Sequence, residues 1–154
     1  MNFDILLLIV ALVALYFVFK AKRYQKEHAS ANADAKARLD GIEQRLQQEL
    51  ADWGAGKEAD LPMRQALKAG LAEAYEFGAE LVGSQQNADN KALKALLGEF
   101  LEAEAQGAPD LRWRRYHTAL HCAVLMGQQA AQPKMAEQIR FKVDKLREAM
   151  KADQ

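Results

Sequence analysis

Two imidazoles four residues apart, His117 and His121, are the residues whose type and spacing come nearest to a chemical site. In a helix that spacing puts both on one face, where they could share a metal ion. The glutamate of an HExxH motif is missing, because Thr118 stands in its place. Glu73, Glu76 and Glu80, with Glu99, Glu102 and Glu104 later in the chain, invite comparison with a di-iron bundle. That site needs Glu-x-x-His on two helices, and the residues three before His117, His121 and His28 are Arg114, Thr118 and Gln25. The six acids therefore read as a solvated face. Helical projection places His117 among Trp113, Tyr116, Leu120 and Val124, and His121 on the border of that apolar face. The expectation is a packed histidine beside a boundary one, with no metal or other cofactor. If the chain does bind a metal, His117 and His121 are the candidates.

Other catalytic chemistry finds less support. Cys122, the single cysteine, excludes an intrachain disulfide and a CxxC redox pair. It projects about 100° away from His121, a poor arrangement for nucleophile and base. Phosphate-cradling glycine loops and a GxSxG elbow are absent from the sequence, so no enzyme is expected. Arg112-Trp113-Arg114-Arg115-Tyr116 interleaves cations with aromatics, a pattern that can bind anions or stack on bases. Arg112, Arg114 and Arg115 are thus candidate contacts for a partner or anion. Arginines in a first helical turn oppose the macrodipole and call for an acidic partner, which the acidic helices of the same chain could supply. Residues 27–106 carry fifteen acids against eight bases, and residues 107–154 nine bases against five acids. Over the whole chain 21 cations cancel 21 anions, so no bulk charge draws it to nucleic acid.

The elements that must position these residues are helical. Alanine occurs 29 times, threonine once, and beyond residue 20 the Val and Ile residues are Ile42, Val82, Val124, Ile139 and Val143. That is too few β-branched residues for a sheet. Residues 28–53 read as a stalk helix with an apolar stripe of Leu39, Ile42, Leu46, Leu50 and Trp53. The stripe suits docking onto the downstream domain or self-association as a short coiled coil, giving a homo-oligomer through residues 39–53. Four domain helices follow, separated at Gly54–Asp60, Gly83-Ser84, Gly107–Pro109 and Pro133. Asn87 or Asp89 caps one and Asp110 the next. Their core should hold Leu67, Leu71, Leu97, Phe100, Trp113, Leu120, Val124, Ile139, Val143 and Leu146. Leu81 and Val82 extend the buried face of the first domain helix. Short connections imply a four-helix bundle or paired helical hairpins. Tetratricopeptide spacing is not met: the Trp, Leu-Gly and Tyr positions are missing, and there is no second copy.

Ahead of these lies Ile5–Phe19, fifteen apolar residues without a break. As a helix it spans about 22 Å, and adding Phe3 while Lys20, Lys22 and Arg23 snorkel recovers most of a bilayer's hydrocarbon thickness. Cations follow the run (Lys20, Lys22, Arg23 and Lys26) and Asp4 precedes it, the reverse of a secretory signal peptide. The expected domains are a transmembrane anchor (1–20), a basic collar, stalk and linker (21–57), and a helical domain (58–154). Residues 3–23 would contact lipid, and the four cations would hold the domain on the cytoplasmic side of a bacterial inner membrane, the amino terminus outside. They could also meet anionic headgroups. The expected function is an anchored protein-interaction module: an adaptor, assembly factor or accessory subunit of a membrane complex. The alternative is a tethered binder of a cofactor, metal, nucleic acid or anionic lipid, through His117/His121 or Arg112–Arg115.

Overall fold

The computed structural model describes residues 3–51, 53–54 and 57–152, the side chains of residues 3, 4, 6 and 48 excepted. It is all-helical, with no strand among the described residues. Five α-helices run in order: α1 (Phe3–Ala51), α2 (Leu61–Leu81), α3 (Asn90–Gln106), α4 (Arg112–Ala131) and α5 (Ala136–Ala152). Short 3-10 turns at Pro109–Leu111 and Pro133–Met135 introduce α4 and α5. The chain divides into two compact units, Met1–Lys36 and Ala37–Gln154.

The expected anchor and stalk are one helix, because no residue between Phe3 and Ala51 breaks the backbone pattern. Gly41 lies inside it with open space around its Cα. In the first unit the large apolar side chains from Ile5 to Phe19 are exposed wherever they are described, between 48 % at Ile9 and 70 % at Phe19. Among the described residues no helix is long and apolar enough to cross a membrane. The expected span draws on residues 3, 4 and 6, whose side chains lie outside the described residues. Lys20, Lys22, Arg23 and Lys26 are exposed, and Arg23 pairs with Glu27 at 3.0 Å.

The second unit starts at Ala37 rather than at residue 58. Leu39, Ile42, Leu46 and Leu50 on α1, with Trp53 beyond it, are buried at 8 % exposure or less. Ile42 and Leu46 lie against Gly70 of α2. Arg45 and Arg38 reach Glu73 at 2.5 Å and 3.4 Å, and the Arg38 guanidinium sits 4.9 Å above the Phe77 ring. The stripe is thus spent inside the chain. A coiled coil or homo-oligomer through residues 39–53 would require it to leave this core.

α4 is the central helix, packed on α2, α3 and α5. Its approach to α2 is set by two glycines. A Cβ on Gly78 would strike the Val124 carbonyl, and one on Gly127 would strike the Tyr75 carbonyl. The α2–α4 spacing therefore depends on both lacking side chains. Between them, Tyr116 is fully buried, donates its hydroxyl to the Leu67 carbonyl at 3.0 Å and meets Phe100 edge-on. Of the expected core, Leu67, Leu71, Leu97, Phe100, Leu120, Val124, Ile139 and Val143 are buried. Trp113 and Leu146 are half-buried, as are Leu81 and Val82 at the end of α2. Asp60 caps α2 and Asp89 caps α3, each accepting backbone N–H bonds. Asp110 does not cap α4. Pro109 starts a 3-10 turn that carries Asp110, which leaves Leu111 at the cap without a side-chain bond.

Candidate functional site

Two clusters of polar side chains stand inside the second unit, and α4 contributes to both. At its start the backbone turns from α3 through Pro109–Leu111, which brings the end of α3 back against the first turn of α4. Glu104 is buried there at 7 % exposure, with Arg112 at 8 % and Arg115 at 0 %. Glu104 accepts from Arg112 Nε at 2.7 Å through one carboxylate oxygen and from Arg115 Nη1 through the other. A further donor of each guanidinium turns to a carbonyl. Arg112 Nη1 donates to Trp53 O at 2.5 Å and Arg115 Nη2 to Ala108 O at 3.0 Å. The Arg112 guanidinium also lies 4.1 Å over the Trp53 ring. Both guanidiniums are turned inward and nearly covered. Their acidic partner is internal. Glu104 likewise leaves the expected solvated face, while Arg114 stays exposed.

One turn further along α4 is the histidine pair. His117 is not buried in the core as expected, because its side chain is 34 % exposed. The His117 and His121 rings meet edge-on with centroids 4.6 Å apart. Across from them α1 presents Asp40 and Glu43, three residues apart and so on one helix face. His117 Nε2 stands 3.8 Å from Glu43 Oε1, too far for a hydrogen bond. One ligand atom from each of Asp40, Glu43 and His117 lies within 4.8 Å of the others. Glu43 Oε1 is buried and has no hydrogen-bond partner. Burial raises the Glu43 carboxyl above its ordinary 4.5; His117 lowers it and Asp40 raises it. Burial lowers His121 below 6.5, His117 adds to that, and Asp40 opposes it. A hollow of about 350 Å³, lined by Asp40, Glu43, Gln44, Gln47 and Trp113, opens beside the carboxylates.

The sequence pointed to the two histidines but not to their carboxylates. Asp40 and Glu43 lie in a helix more than seventy residues earlier, and no local spacing links them to His117. Packing of the Leu39–Leu50 stripe is what brings them together. The absence of an HExxH or ExxH motif, which weighed against a metal, does not therefore leave the imidazole without acidic neighbours. Elsewhere, burial pushes the Cys122 thiol up to about 12, so it stays protonated and poorly nucleophilic. Its sulfur sits 4.0 Å from the Val143 carbonyl. Glu99 pairs with Arg147 of α5 at 2.9 Å.

No family model, no curated protein and no solved structure matches the chain.

Proposed function

We propose that the chain is a single-pass, membrane-anchored protein whose helical domain is a protein-interaction module, serving as an adaptor, assembly factor or accessory subunit of a membrane complex. The observation that carries this reading is the run of large apolar side chains from Ile5 to Phe19, exposed wherever they are described. Apolar surface on every face of a helix needs lipid or protein around it. Phe3 lies beyond Asp4 on the amino-terminal side of the run, and Tyr16, Phe17, Phe19 and Tyr24 supply rings of the kind found at membrane interfaces. Lys20, Lys22, Arg23 and Lys26 favour a cytoplasmic domain in a bacterial inner membrane, with the amino terminus outside. Within the domain, Leu61, Phe141 and Met135 are exposed apolar side chains at 68 %, 62 % and 44 %, and the last two, close together on either side of the α5 start, are taken as the partner contact.

Site-specific photo-crosslinking in native membranes, from a reactive residue at position 141 or 135, tests the module reading. A discrete heteromeric adduct, lost on substituting the neighbouring apolar residue by Asp, supports it. Adducts to lipid or to nothing refute it.

A further inference from the structure

We propose that Asp40, Glu43 and His117 form a binding site for a divalent transition-metal cation such as Zn²⁺, with solvent completing the coordination. The donor set is an imidazole with two carboxylates, a combination suited to zinc and its first-row neighbours. Two carboxylates also balance the charge of a divalent ion, whereas without one they repel each other beside a half-buried histidine. The ligand atoms already converge to within 4.8 Å, and the His117–Glu43 separation is 3.8 Å. Bonds of about 2.0–2.2 Å to one ion would hold neighbouring donors roughly 3.0–3.5 Å apart. The difference is about an ångström, a scale that side-chain rotation covers.

A separate observation points the same way. Glu43 Oε1 is buried with no hydrogen bond, and leaving such an oxygen unpaired is costly. A simple His117–Glu43 ion pair does not answer this cost, since the contact is longer than a hydrogen bond and Asp40 adds like charge. A cation between the three groups answers it. The hollow lined by Asp40, Glu43, Gln44, Gln47 and Trp113 gives the ion an entrance and room for solvent ligands. His121 packs edge-on against His117, the ligating ring. The site lies within the second compact unit and does not depend on how the chain meets a membrane.

The test uses the purified full chain in detergent, stripped with chelator and titrated with Co²⁺ alone, then with Zn²⁺ in competition. The expected result is one equivalent of Co²⁺ with visible ligand-field bands, displaced by Zn²⁺. Glu43→Gln, His117→Gln and Asp40→Asn should each weaken Co²⁺ at least about tenfold, a loss in line with disturbed metal sites. His28→Gln, which removes the histidine outside the cluster, should bind as the parent does. Circular dichroism establishes that each variant is folded. If Glu43→Gln unfolds, Asp40→Asn at its half-buried position decides by the same threshold. No stoichiometric Co²⁺ binding by the parent chain, or a loss under tenfold in the folded cluster variants, overturns the proposal.

Discussion

Arg115, a guanidinium with no exposed surface, is held by Glu104, a carboxylate eleven residues earlier across the α3–α4 turn. Arg112 shares the same carboxylate, and the carbonyls of Trp53 and Ala108 each accept a further donor from one of the two guanidiniums. Removing one member of a buried ion network leaves an uncompensated charge, at about 3–5 kcal/mol. Glu104→Gln should lower unfolding stability in urea by that amount. A change below about 1 kcal/mol would show the arginines to be solvated instead.

The stripe on α1 belongs to the core, so fragment boundaries should matter sharply. A fragment of residues 37–154 should unfold cooperatively. One of residues 58–154 lacks Leu39, Ile42, Leu46, Leu50 and Trp53, each a buried side chain. At about 2–5 kcal/mol for each lost leucine-sized group, the deficit exceeds what a domain of about 5–15 kcal/mol total stability tolerates. Thermal melts followed by circular dichroism compare the two. Equal melting temperatures would place the stripe outside the core.

Much of this architecture is legible in the residues. The 3-4 spacing of Leu39, Ile42, Leu46 and Leu50 announces a buried face, and Asp60, Asp89, Gly83 and Gly107 mark helix ends where the structure has them. The α4 boundary was harder to read, since Pro109 can begin a 3-10 turn as readily as follow a helix, and this displaced Asp110 from its cap. The candidate site was half visible. His117 and His121 share a face by local spacing, but Asp40 and Glu43 reach them only through tertiary packing, which no sequence window records. Arg112 and Arg115 follow the same logic. Cations beside aromatics look like a surface patch until the returning end of α3 covers them.

Close packing of α2 on α4 yields a paired prediction. Gly78→Ala and Gly127→Ala place a methyl group against a backbone carbonyl of the facing helix. Overpacking of this kind costs about 1–3 kcal/mol, occasionally more. Gly98→Ala in α3 meets nothing within 4 Å and should stabilise by about 0.5–1 kcal/mol through helix propensity. Chemical denaturation of the three variants measures both signs. If Gly78→Ala and Gly127→Ala stabilise like Gly98→Ala, the helices are further apart than described.

The histidine–carboxylate cluster gives stability a pH dependence in metal-free buffer. His121 is lowered, chiefly by burial, so the unfolded chain takes up its proton first. Its contribution is complete above the ordinary value of 6.5 and is lost as pH falls through the lowered folded value. Glu43 is raised, chiefly by burial, so its contribution is complete below 4.5 and fades as pH rises through the raised folded value. Glu43→Gln should therefore stabilise the metal-free chain at pH 7. His121→Gln should flatten the decline in stability below pH 6.5. A parallel pH profile for His121→Gln and the parent would remove the histidine from the effect.

Anchoring with a cytoplasmic domain is the central claim, and topology tests it most directly. Carboxyl-terminal fusions to alkaline phosphatase and to a fluorescent protein should be made in a bacterial host, with membranes washed at alkaline pH. The fluorescent fusion should remain in the washed membrane and glow, and the phosphatase fusion should be inactive. Deleting residues 5–19 should release the domain. Phosphatase activity, or a full-length fusion washed free of the membrane, would contradict the claim.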